Sequence, residues 1–95
     1  MIIVSQERDL IINSDNIEVL GIGNPLEDDD GKFKILVNTT SDSQYTIAKY
    51  DTEERATKVF EEIVNKYLEY ASVANAVGDI KQVYTIPKVY LMPEK

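Results

Sequence analysis

Carboxylates are the side chains with which this chain could do chemistry, because the sequence contains 17 Asp and Glu but no His and no Cys. The missing residue types exclude thiol nucleophiles, imidazole bases, disulfides and Cys/His zinc sites. The densest acidic run, residues 27–30 before Gly31, could bind Ca²⁺ or Mg²⁺ through its oxygens. It does not fit an EF-hand loop, which would place Leu26 and Val37 at acidic ligand positions. We interpret the run as a solvated hairpin tip, with a loose cation site as the alternative.

Two carboxylate pairs could perform acid–base catalysis, namely Glu61 with Glu62 and Glu69 with Asp79. Glu61 and Glu62 fall on the polar side of a predicted helix, where solvated carboxylates are ordinary. The run Gly21-Ile22-Gly23 lacks the third glycine and the following helix of a phosphate-binding turn. We therefore predict no catalytic residue, no cofactor site and no metal ligand, and a metal-dependent enzyme using carboxylates is an alternative hypothesis.

The net charge of −7 arises entirely in residues 1–31, which contain eight acids and one base, whereas residues 32–95 contain nine of each. An acidic segment repels nucleic-acid phosphates, so we expect no direct DNA or RNA binding. The same charge allows an alternative function, an acidic nucleic-acid mimic that blocks a host DNA-binding protein. Such a mimic requires the acids of residues 7–30 to form one continuous surface.

The apolar residues form neither a membrane-spanning pattern nor a signal-peptide pattern. The sequence has no apolar run long enough to cross a bilayer, and residues 1–5 do not have the pattern of a signal peptide. We therefore expect a cytoplasmic protein with no membrane partner.

Short strands separated by polar turns are predicted for most of residues 1–50. The apolar or alternating runs are residues 2–4, 10–12, 17–22, 32–37 and 45–50. In the fourth run Phe33, Ile35 and Val37 alternate with lysines, which is typical of a half-buried antiparallel strand. Because successive strands are joined by turns, a meander is the simplest topology.

A long amphipathic helix is predicted over residues 52–77, with Asp51 and Glu54 forming a capping box. Its apolar face should bury the large side chains Val59, Phe60, Ile63, Val64 and Leu68. Twenty-six residues extend about 39 Å at about 1.5 Å per residue, whereas a chain of this length folds to a diameter of roughly 32 Å. The helix must therefore either break near Ser72 or project beyond its own sheet.

The end of the helix and the end of the chain are the predicted contact regions. The helix end is apolar on several faces, and residues 83–92 form an apolar segment that its prolines restrict to an edge strand or an extended tail. Such segments need a surface to lie on, their own or a partner's. The predicted interaction residues are Tyr70, Val73, Val77, Tyr84, Tyr90, Leu91 and Met92.

Four sequence segments carry a resemblance to a known group of proteins. They are Met1-Ile2-Ile3-Val4-Ser5-Gln6, Asp15-Asn16-Ile17, Lys49-Tyr50-Asp51-Thr52-Glu53-Glu54-Arg55-Ala56 and Tyr90-Leu91-Met92-Pro93-Glu94-Lys95. With these segments the chain resembles the small uncharacterised proteins encoded by phages, prophages and mobile elements of low-GC Gram-positive bacteria. The resemblance implies a protein of the host bacterial cytoplasm and supplies no catalytic residues.

Together these observations predict one α+β domain spanning residues 1–95. An antiparallel meander sheet of about five strands should pack against one long helix, followed by a short C-terminal extended strand or tail. The predicted function is a non-enzymatic accessory protein, an interaction module whose partner is another protein or a second copy of itself, as a homodimer or higher oligomer.

Overall fold

Six strands and one α-helix make up the regular structure of the described residues, which in this computed structural model are 1–25, 30–76 and 89–95. The α+β class is confirmed. The strands are β1 (Ile2–Val4), β2 (Ile11–Asn13), β3 (Ile17–Gly23), β4 (Phe33–Thr39), β5 (Gln44–Tyr50) and β6 (Val89–Leu91), and the helix is α1 (Glu53–Ala76).

The strands form two three-stranded sheets, so the prediction of one five-stranded meander is wrong. The N-terminal sheet has the order β2-β1-β6, with β1 antiparallel to β2 and parallel to β6. The second sheet is the antiparallel meander β3-β4-β5. A 3₁₀ turn at Ser14–Asn16 separates the sheets, and the Asn13 side chain fixes it by accepting a hydrogen bond from the Asp15 amide at 3.0 Å. This turn redirects the chain, so that β3 pairs with β4 instead of β2.

The core lies between the inner faces of both sheets and the first half of α1. Ile35 and Val37 of β4 and Val59 of α1 are fully buried within it. The pairing of β4 with β5 shifts register after Ile35, which is the signature of a β-bulge. The bulge explains why two consecutive β5 residues, Ile47 and Ala48, are both buried.

Helix α1 begins one residue later than the predicted capping box requires. Thr52, not Asp51, is the N-cap, since its hydroxyl accepts a hydrogen bond from the Arg55 amide at 3.1 Å. Asp51 instead lies 3.6 Å from the Lys32 ammonium. The helix is continuous to Ala76, about 36 Å by its 24 residues. The alternative of a break near Ser72 is therefore not what the structure shows.

The apolar stripe of α1 is longer than the core that it covers. Ala56, Val59 and Ile63 are buried. The predicted burial of Val64 and Leu68 is wrong, since Val64 is 36% exposed and Leu68 is 56% exposed. The helix thus projects beyond its sheet, which is the second of the two alternatives predicted from its length.

Candidate functional site

The outer face of the N-terminal sheet is an exposed apolar surface. Side chains alternate along a strand, so the register that places Ile12, Ile3 and Tyr90 in one row directs that row into the core. The rows on either side face outward. The outward aliphatic side chains form what we name the sheet patch, namely Ile2, Val4, Ile11, Val89 and Leu91.

The sheet patch is well exposed and carries no charge. Ile11 is 75% exposed, Val89 59% and Leu91 55%, while Ile2 and Val4 on the central strand are half-buried. Asn13 is the other outward residue of these three strands. The sequence does not reveal this surface, because runs such as Ile2-Ile3-Val4 are typical of strands buried on both faces.

The second surface lies where the helix stripe leaves the core, and we name it the helix groove. It is a cavity of about 290 Å³ between α1, β3 and the N-terminal sheet. Its apolar lining is Met1, Ile3, Ile17, Leu20, Ile63, Val64, Tyr67 and Leu68, with Ser14 and Glu18 as the polar members. The Ser14 hydroxyl oxygen is buried and has no hydrogen-bond partner among the described residues.

The last residues of the chain are held against the chain's own fold. Tyr90 and Met92 are buried in the core, and the Met92 amide donates to the Val4 carbonyl at 3.0 Å. Four consecutive main-chain oxygens then accept hydrogen bonds from side chains, an arrangement that we name the tail clamp. The bonds run from Arg8 to Met92 (3.0 Å), from Tyr50 to Pro93 (2.7 Å), from Gln6 to Glu94 (2.9 Å) and from Arg55 to Lys95 (2.7 and 2.9 Å).

Gln6 joins the tail clamp to both sheets. Its side-chain amide donates to the Lys49 carbonyl at 3.0 Å and accepts from the Lys49 amide at 2.9 Å, as a neighbouring strand would. Its main-chain amide donates to the Ile47 carbonyl at 2.8 Å. The sequence gives no sign of this role, because an isolated glutamine after a short strand has no distinctive pattern.

Gln6→Ala is expected to lower the free energy of unfolding by about 1–3 kcal/mol, since several partly exposed hydrogen bonds are lost and water replaces some of them. Amide exchange should rise most at Lys49, whose amide loses the Gln6 side-chain oxygen as its acceptor, and should also rise at Met92 next to the released tail. Denaturant unfolding and hydrogen exchange measure the two effects. Gln44→Ala, the same change at an exposed position that begins β5, is the control. Equal effects of the two substitutions would contradict the assigned role.

The predicted interaction residues are divided by the structure. Leu91 is exposed within the sheet patch, whereas Tyr90 and Met92 face the core. Tyr70 and Val73 belong to α1, but their side chains lie outside what the structure describes. Val77 and Tyr84 lie outside the described residues.

Two tyrosine hydroxyls are buried beside the tail. The Tyr90 hydroxyl donates to the Glu62 carboxylate at 2.7 Å, so that one of the candidate catalytic carboxylates has a structural partner. Burial raises the pKa of Tyr90, and the hydrogen bond and negative charge of Glu62 raise it further. Burial also raises the pKa of Tyr50 to about 12, against the lowering effect of the nearby Arg55 guanidinium.

The other candidate carboxylates form no metal-binding group within the described parts of the chain. No cluster of three or more acidic side chains that could hold a metal ion occurs there. Glu27, Asp28, Asp29 and Asp79 lie outside the described residues. Glu69 forms an ion pair with Lys66 at 3.8 Å.

The described acids of the N-terminal third lie at four places, one of which is β3 with Glu18. Glu7 and Asp9 lie in the turn before β2, and Asp15 lies in the turn after it. Asp30 forms an ion pair with Lys49 at 3.2 Å, which places a cation beside it. Glu27, Asp28 and Asp29 lie outside the described residues, so a continuous acidic surface over residues 7–30 stays a prediction.

Comparisons with protein families, with curated proteins and with solved structures found no match to this chain. Over the described residues, no helix has both the length and the apolar character needed to cross a membrane.

Proposed function

We propose that the protein is a non-enzymatic interaction module that associates with itself as a homodimer or higher oligomer. One observation carries this proposal, namely that most of the exposed large apolar side chains of the described residues fall on two surfaces, the sheet patch (Ile11, Val89 and Leu91) and the helix groove (Val64, Tyr67 and Leu68), whereas Val19 and Tyr45 lie outside both. Single exposed apolar residues are common on monomeric proteins, whereas continuous patches mark contact sites.

The helix supports the proposal independently of the strands. An amphipathic helix gains its stability by burying its apolar stripe. In α1 the stripe continues past Ile63 to Val64 and Leu68, which the chain's own sheets leave exposed. A protein partner, self or other, would complete the burial.

The resemblance adds a biological setting to the proposal. We propose an accessory protein of a phage or mobile element that acts in the host bacterial cytoplasm. Phage or mobile-element genes on both sides of the coding sequence would support this setting, and a neighbourhood of conserved housekeeping genes would contradict it.

Self-association predicts that the weight-average mass of the full chain rises with concentration. Sedimentation equilibrium from about 10 μM to 1 mM covers the range in which small interfaces are populated. We expect a reversible monomer–oligomer equilibrium within it. A monomeric profile at the highest concentration would contradict self-association.

A further inference from the structure

We propose that the sheet patch is the self-association surface, and that two copies pack it face to face about a two-fold axis as a small β-sandwich. This inference rests on the proposed function and names the surface that performs it. The sheet patch is the more regular of the two surfaces, because the described strands set its side chains in two rows at fixed spacing.

The chemistry of the sheet patch selects a second copy as its occupant. The patch offers five aliphatic side chains and no charge, so its complement is another uncharged aliphatic surface. A two-fold interface uses the same patch on both partners, so a second copy supplies that complement without another protein. Aliphatic sheet faces pack on each other in this way in β-sandwich cores.

A membrane surface and a charged protein fit the sheet patch less well than a second copy does. Surface-bound membrane proteins rely on lysine, arginine and aromatic residues around their apolar face. The sheet patch has none of these among its five members, and the chain's charge of −7 repels anionic lipid. A charged partner would find no opposite charge on the patch.

The area of the sheet patch sets the strength that we expect. Its exposed side chains amount to roughly 400 Å² per copy, within the range of about 300–600 Å² for the largest apolar patch of a typical monomer, which is often functional. A standard stable interface buries about 800 Å² per partner. The dimer should therefore be weak, with a dissociation constant above about 1 μM.

The net charge gives the dimer a characteristic salt dependence. Two chains of charge −7 repel each other, and the patch supplies no ion pair to offset the repulsion. Added salt screens the repulsion. Association should therefore strengthen severalfold between about 50 mM and 500 mM NaCl, whereas an interface held by ion pairs would weaken.

The test compares three lysine variants of the full chain by sedimentation equilibrium. Leu91→Lys and Ile11→Lys place a charge on opposite edge strands of the N-terminal sheet, roughly 10 Å apart across β1. Leu68→Lys is the matched control, because Leu68 in the helix groove is 56% exposed and Leu91 is 55% exposed. All three reduce the net charge equally, so the loss of overall repulsion is the same in each.

We expect Leu91→Lys and Ile11→Lys each to weaken association at least about tenfold, and Leu68→Lys to leave it unchanged or slightly stronger. Circular dichroism and melting curves check that each variant is folded, and these exposed positions should tolerate lysine. If Leu91→Lys weakens association and Ile11→Lys does not, the copies pair along the β6 edge, and the face-to-face dimer is overturned. If only Leu68→Lys loses association, the interface lies in the helix groove. The inference about the sheet patch is then overturned, while the proposed function stands. A monomeric wild-type chain would contradict the proposed function itself.

Discussion

Ile35→Ala is expected to lower the free energy of unfolding by about 2–5 kcal/mol, the largest effect of any single substitution considered for this protein. Ile35 lies at the centre of β4, the middle strand of its sheet, and is fully buried. Truncation removes the transfer free energy of three carbons and leaves a cavity that the surrounding strands cannot fill completely. A domain of this length has a total stability of only about 5–14 kcal/mol. The variant should therefore be visibly less stable and could be partly unfolded at 37 °C.

Ile11→Ala is the matched control for Ile35→Ala. The chemical change is identical, but Ile11 is exposed in the sheet patch, so its truncation should change stability by less than about 0.5 kcal/mol in the monomer. Urea denaturation at a concentration below that of self-association measures both variants. Equal losses at the two positions would show that the assignment of inner and outer faces is wrong.

Alkaline pH is expected to destabilise the protein in the window from about pH 10 to 12. In the unfolded chain a tyrosine ionises near its ordinary pKa of about 10, whereas burial raises the pKa of Tyr50 to about 12 in the folded protein. Below pH 10 both states keep the proton, and stability does not depend on this group. Above pH 10 the unfolded state loses the proton first, so the free energy of unfolding falls until the folded pKa is passed.

The size of the alkaline effect follows from the shift in pKa. A shift of one unit corresponds to about 1.4 kcal/mol, so Tyr50 contributes at most about 3 kcal/mol of stability that is lost across the window, and less to the extent that solvent screens its hydroxyl. Tyr90 adds to the loss in the same direction, since burial and Glu62 also raise its pKa. The loss should be steep enough to unfold a marginally stable chain.

Urea denaturation at a series of pH values, followed by circular dichroism, tests this expectation. The double variant Tyr50→Phe and Tyr90→Phe removes both hydroxyls and keeps the rings, so its stability should fall much less between pH 10 and 12. Lysine deprotonation affects the wild type and the variant alike and cancels in the comparison. An equally steep fall in the double variant would refute the assignment to these tyrosines.

The local elements of the fold could be predicted from the sequence because their signals are local. The alternation around Ile35 identified β4, and the helical spacing after Asp51 identified α1 to within a residue or two at its start. The arithmetic of helix length predicted either a break near Ser72 or projection beyond the sheet, and the continuous helix with an exposed Leu68 decides for projection.

The arrangement of the strands could not be predicted, because pairing depends on partners distant along the chain. The choice of β6 as the parallel neighbour of β1 joins residues almost ninety positions apart, and no local pattern encodes it. The tail clamp is equally non-local, since Gln6 and Arg8 meet oxygens at the other end of the chain. These contacts explain why Tyr90 and Met92, predicted to meet a partner, are buried in the chain's own core.

The sequence by itself determined that this is an α+β chain without Cys/His chemistry, whose negative charge lies in its first third and whose helix is longer than its core. These properties depend on residue type and spacing, which need no knowledge of neighbours. Only the tertiary structure decided which apolar side chains remain exposed. Ile11 and Ile12 are the same residue type in adjacent positions, and the sheet that buries Ile12 leaves Ile11 facing outward, because neighbouring side chains of a strand point to opposite faces.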